Sequence, residues 1–63
     1  MAKILILEDE RAINDLIALN LRMVGHTAEQ ALTGREAIEL AKKEPFDLLI
    51  LDVMCLPRIV CMR

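Results

Sequence analysis

Three features of this 63-residue sequence together predict an α/β fold. Lys3-Ile4-Leu5-Ile6-Leu7 and Phe46-Asp47-Leu48-Leu49-Ile50-Leu51-Asp52 are short runs that stay apolar at odd and even positions. That is the pattern of strands buried on both faces, as in a parallel sheet. Two segments of helical period, Arg11 to Val24 and Thr33 to Lys43, alternate with them. The resulting order is β-α-β-α-β with short connections, and right-handed crossovers then make the sheet parallel.

Each element has its own signature. The first strand ends on Glu8-Asp9-Glu10, and acids there suit the positive end of the following helix. In that helix Ile13, Leu16, Ile17, Leu21 and Val24 fall on one face, and Gly25 is a natural stop. Ala12, Leu19 and Met23 form a second apolar strip, which implies a neighbour besides the sheet. His26 to Ala31 is a weaker strand with Thr27 and Ala28 its best residues, read as an edge. His26 itself reads as a turn residue rather than a ligand. Thr33 and Glu36 have capping-box spacing, Ala37, Ile38 and Ala41 supply a narrow apolar face, and Lys42 and Lys43 suit the helix C-terminus. Glu44-Pro45 ends the second helix, because the residue before proline avoids helical angles.

Length and composition narrow the classes further. A chain of this size is one domain at most and buries only about 60% of its unfolded surface. Hydrophobic residues make up 56%, yet Phe46 is the one aromatic, so the apolar surface exceeds what so short a chain readily buries. The net charge is −2 with Lys and Arg dispersed, which gives no basic stripe for nucleic acid. No apolar run approaches the roughly 18 residues of a membrane span, and the N-terminus lacks a signal-peptide layout, so the expected setting is cytoplasmic. Cys55 and Cys61 match no zinc or redox motif and read as plain thiols. Met23, Met54 and Met62 read as packing residues.

The chemistry lies at the strand ends. If the first and last strands are neighbours, Glu8, Asp9 and Asp52 converge at one edge of the sheet. Like charges so placed repel, and a hard divalent cation such as Mg²⁺ relieves the repulsion while bridging to phosphate. Such a site can present a carboxylate as nucleophile to a phosphoryl group. The plainer alternative is that strand ends carry acids because they are solvated. Spacing alone supports both readings.

Ile4-Leu5-Ile6-Leu7-Glu8-Asp9-Glu10, Ala31-Leu32-Thr33-Gly34-Arg35-Glu36-Ala37 and Pro45-Phe46-Asp47-Leu48-Leu49-Ile50-Leu51-Asp52-Val53-Met54 together resemble the receiver domain of bacterial two-component response regulators. The Glu-Asp-Glu variant most resembles the class that carries a winged-helix DNA-binding domain. The resemblance implies the N-terminal half of a flavodoxin-like fold, with a three-stranded parallel sheet in the order 2-1-3. It implies Asp52 as phospho-acceptor, taking phosphate from a sensor-kinase histidine. It also implies Mg²⁺ bound directly by Asp9, through water by Glu8, and by Asp52 and the backbone carbonyl of Met54. Intact members catalyse their own aspartyl phosphorylation and are not enzymes in the ordinary sense.

The likeness covers residues 2–54, so residues 1–54 are expected to be a partial receiver domain and 55–63 an aberrant or truncated tail, possibly an extra strand. Cys55-Leu56-Pro57-Arg58 departs from the family's Leu-Pro-Gly and Asp-Gly pattern. The family's phosphate-contacting Ser/Thr and its Lys are not found in the sequence, which predicts weak Mg²⁺ binding and impaired phosphotransfer. The same departure predicts an uncovered third-strand edge. A symmetric homodimer is expected to cover it, with an interface drawn from Leu48, Leu49, Ile50, Leu51, Ala12, Leu19, Met23, Ile59 and Val60. The chain would then be a self-associating structural fragment, with no membrane contact and no direct contact to nucleic acid.

Overall fold

The computed structural model describes residues 1–53 and 56–61, of which 52, 53 and 56–61 are described by their backbone alone. The elements run β1 (Lys3–Glu8), α1 (Arg11–Met23), β2 (Thr27–Ala31), α2 (Gly34–Lys43), β3 (Leu48–Val53) and β4 (Leu56–Cys61). They form one sheet in the order β2-β1-β3-β4. The first three strands are parallel, in the expected 2-1-3 order with one helix on each face.

The strictly apolar strands take the centre because both their faces need cover. From β1, Ile4 and Ile6 pack with Ala18 and Ala28 under α1, joined by Ile17, Leu21, Leu48 and Ile50. Leu5 lies on the opposite face with Ala31, Ala37 and Phe46, joined by Leu7, Leu40, Ala41 and Leu49. The period-two alternation of the strand thus divides one aliphatic run between two cores. An apolar cleft of about 340 Å³ remains beside α2, lined in part by Leu5, Leu7, Ala37, Ile38 and Leu49.

The helices differ in detail from the expected pattern. On α1 the sheet-facing residues are Asn14, Ile17, Ala18 and Leu21. Ile13, Leu16 and Val24, expected on that face, are exposed. Two local features set this rotation: the side chain of Asn14 is tied to the sheet, and Ala18 is small enough to let the helix approach closely. The helix closes in a Schellman arrangement. Gly25 has φ +95°, its N–H donates to the Arg22 carbonyl at 3.1 Å, and the His26 N–H donates to the Leu21 carbonyl at 3.0 Å. His26 Nδ1 in turn accepts the Ala2 N–H at 3.0 Å, so this turn residue holds the start of the chain.

Thr33 is the N-cap of α2, and its Oγ1 accepts the Glu36 N–H at 3.2 Å. The return bond of the expected capping box is shifted by one residue, with Glu36 Oε1 accepting the Leu32 N–H at 2.8 Å. Phe46 and Asp47 precede β3. Phe46 is buried beneath the Lys3 ammonium, which sits 5.4 Å from the ring centroid and also pairs with Glu44. Asp47 clamps the two central strands together. Its Oδ2 accepts the Lys3 N–H at 2.8 Å, and its own N–H donates to the Lys3 carbonyl at 2.7 Å.

The outer edge of β3 corrects one expectation. It is not open to a second molecule, because β4 pairs antiparallel along it from Leu48↔Cys61 to Val53↔Leu56. Leu48, Leu49, Ile50 and Leu51 are half-buried, and Ile59 and Val60 lie in register with Ile50 and Leu49. The physical reason is proximity in sequence. A strand following at once on β3 closes a short loop at small entropic cost, so the chain covers its own edge.

Candidate functional site

The acids meet at the C-terminal edge of the parallel strands. Glu8 is the last residue of β1, and the register sets it opposite Asp52 of β3. Asp9 and Glu10 follow in the connection to α1 and are exposed, whereas Glu8 is only 3% exposed. Glu8 Oε1 accepts the Glu10 N–H at 2.8 Å, which folds the acidic connection back on the strand end. The expected juxtaposition of Glu8 and Asp52 is therefore present in the backbone register. The side chain of Asp52 and the whole of Met54 lie outside the described residues. Among the described side chains, no group of three or more His, Cys, Asp or Glu is placed to hold a metal ion.

Asn14 organises this edge, and sequence periodicity did not reveal it. Its side chain is fully buried. Nδ2 donates to the Glu8 carbonyl at 3.1 Å and to the Ala31 carbonyl at 2.9 Å. One amide thereby joins the ends of β1 and β2 to the first turn of α1, directly beneath the acids. The available signal was a polar residue in phase with Ile17, Ala18 and Leu21, which only makes sense if its hydrogen bonds are satisfied inside. Alongside lies a polar recess of about 280 Å³ lined by Arg11, Asp15, Gln30, Leu32 and Glu36. Gln30 Nε2 donates to Asp15 Oδ1 there at 2.7 Å.

An open parallel sheet places its ligand crevice outside the carboxyl ends of its strands, and the acidic edge occupies that position. Carboxylate oxygens such as those carried by Glu8, Asp9 and Asp52 are the donor type that hard divalent cations take.

Comparison with known proteins points the same way. The chain is 42% identical over its whole length to the DNA-binding dual master transcriptional regulator RpaA of Synechocystis, of which it covers 27%. It is 42% identical over 90% of its length to the alkaline phosphatase synthesis transcriptional regulatory protein PhoP of Bacillus subtilis, of which it covers 23%. The chemotaxis protein CheY4 of Vibrio cholerae superposes with a TM-score of 0.76 at 37% identity, over 78% of this chain and 41% of that one. No family model matches. The chain thus spans about a quarter of the length of these regulators. Likeness along the chain and strand order agree, and the chain is similar to the N-terminal part of response-regulator receiver domains.

Proposed function

We propose that this chain carries the phosphoryl-accepting edge of a two-component phosphorelay, with Asp52 as the acceptor. The observation that carries the reading is the parallel register that sets Glu8 opposite Asp52, with Asp9 next in the chain. In the reaction a carboxylate oxygen of Asp52 attacks phosphorus, the bond to the kinase histidine breaks, and the imidazole leaves with a proton. Mg²⁺ would be held by Glu8, Asp9, Asp52 and the backbone carbonyl of Met54, and would neutralise charge on the phosphoryl oxygens. Two features favour the division of roles between the acids. Asp9 is exposed and free to ligate directly, while Glu8 is buried with one oxygen engaged by the Glu10 amide, as befits a partner acting through water.

The partner in this reading is a sensor histidine kinase, met by this chain in the cytoplasm. Relatives named as transcriptional regulators support the class with a winged-helix DNA-binding domain, this stretch itself making no direct contact with nucleic acid. These 63 residues alone should phosphorylate slowly. Groups aimed at the developing phosphoryl charge commonly contribute a factor of about 10²–10³ each, and the Ser/Thr and Lys that the resemblance calls for are not among them. The test is incubation with acetyl phosphate and Mg²⁺, followed by intact mass and peptide mapping. Slow, partial addition at Asp52 is expected, abolished by Asp52→Asn and reduced by Asp9→Asn. Rapid stoichiometric addition would overturn the impairment. Addition that survives Asp52→Asn, or none at all, would overturn the acceptor role.

A further inference from the structure

The Asn14 amide joins more than two strand ends, because each carbonyl it meets belongs to a peptide unit with a further partner. The Glu8 carbonyl carbon is bonded to the Asp9 nitrogen, so the peptide held by Asn14 is the one that sets Asp9 at the acidic edge. The Ala31 carbonyl carbon is bonded to the Leu32 nitrogen, and the Leu32 N–H donates to Glu36 Oε1 at 2.8 Å in the first turn of α2. The Glu36 N–H in turn donates to Thr33 Oγ1 at 3.2 Å. A continuous run of hydrogen bonds and peptide units therefore leads from Asp9, through a fully buried side chain, to the N-terminus of α2.

We infer that Asn14 is a coupling residue, through which a divalent cation at the acidic edge and the order of the β2–α2 connection each favour the other. This rests on the cation-binding reading of that edge given above. The tie is held at a cost, since Asn14 Oδ1 is buried with no partner among the described residues, and a buried acceptor without a donor is unfavourable. Opening the tie lets water reach Oδ1 and offsets part of the two bonds lost. Tied and untied arrangements of the strand ends are then close enough in free energy for a ligand to shift between them. A cation held by Glu8 and Asp9 needs the Glu8–Asp9 peptide in place, so it binds the tied arrangement better. The same amide fixes the Ala31 carbonyl, so Leu32 and the first turn of α2 are ordered by the same event. Because α1 and α2 cover opposite faces of the sheet, a charge neutralised at the edge is felt on both. Linkage makes the effect reciprocal, with one factor describing both directions.

The test uses the full chain and Mg²⁺ alone, at constant ionic strength. Amide NMR shifts of Asp9 and Glu10 report cation binding, and hydrogen exchange at Leu32 reports the far side of the tie. In the parent chain, saturating Mg²⁺ should slow exchange at Leu32 about fivefold. Exchange at Gly25 and His26, whose amides close the other end of α1, should change much less. Asn14→Ala should bind Mg²⁺ weaker by the same factor of about five and lose the effect at Leu32. If that variant does not fold, Asn14→Ser serves in its place, because one hydroxyl donates to at most one of the two carbonyls. Gly25→Ala, which lowers stability without touching the tie, should keep the parent's affinity for Mg²⁺. Parent-like affinity in the Asn14 variant, or slowing that is equal at Leu32, Gly25 and His26, would overturn the coupling and leave the acidic-edge reading standing. Absence of any shift at Asp9 and Glu10 with Mg²⁺ in the tens of millimolar would overturn that reading, and the coupling with it.

Discussion

Replacing Asn14 with alanine tests whether one buried amide holds the acidic edge together. The amide donates at 3.1 and 2.9 Å to two carbonyls from different strands. Alanine removes both donors. Each neutral hydrogen bond contributes about 1 kcal/mol net, and a buried acceptor left without a donor costs about 1–3 kcal/mol. Against this, Asn14 Oδ1 is itself buried with no partner among the described residues, so its removal offsets roughly 1 kcal/mol. The net loss should be about 2–3 kcal/mol. A 63-residue chain has on the order of 3–9 kcal/mol of stability, so the change is a large share of the whole. Urea unfolding followed by far-UV circular dichroism should show a lower midpoint at unchanged slope. Asn20→Ala is the matched control, because its Nδ2 bonds to the exposed Leu16 carbonyl of its own helix at 2.9 Å. That variant should stay within about 0.5 kcal/mol of the parent. If Asn14→Ala proves no worse than Asn20→Ala, the tie between strand ends is energetically empty and the reasoning fails.

Three further outcomes follow from local geometry. Thr33→Ala removes the oxygen that caps α2 at the Glu36 amide and should cost about 1 kcal/mol in the same urea assay. Gly25→Ala meets no atom within 4 Å at the added Cβ, but φ is +95°, so a loss of about 1 kcal/mol should arise from backbone strain alone. Structural superposition of the variant should show no shifted neighbours. Asp47→Ala loses the acceptor for the Lys3 N–H, and hydrogen exchange at Lys3 should speed up by about tenfold, a cost of roughly 1–1.5 kcal/mol.

The central strands were legible because Ile4 to Leu7 and Leu48 to Leu51 are apolar on both parities, and few other structures accommodate that pattern. The ends of α2 were legible for a similar reason, since Thr33 and Glu44-Pro45 act on the backbone next to them. The face of α1 was not. Periodicity sees hydrophobicity and is blind to partners, so it favoured Ile13, Leu16 and Val24 over Asn14, whose burial depends on carbonyls contributed by two distant strands. The pairing of β4 was hidden for the opposite reason. Its β-forming residues were visible, but nothing in a single strand states which edge it takes. For the candidate site, Glu8 and Asp9 could be located as acids at a strand end, and their approach to Asp52 depended on a strand order that only tertiary structure settles.

The Asp47 clamp on Lys3 acts as a ruler. Its two bonds lie at one end of the β1–β3 pair, and Glu8 and Asp52 lie at the other, five residues and about 16 Å away. A strand has a phase as well as a position, since a slip of one residue exchanges its faces. In such a slipped state Ile4 and Ile6 would turn to the face of α2, Leu5 and Leu7 to that of α1, and Glu8 would no longer lie opposite Asp52. Both faces are aliphatic, so hydrophobicity alone distinguishes the two phases poorly. The information that aligns the acids is therefore stored at the far end of the strands, in a carboxylate that is not itself one of them.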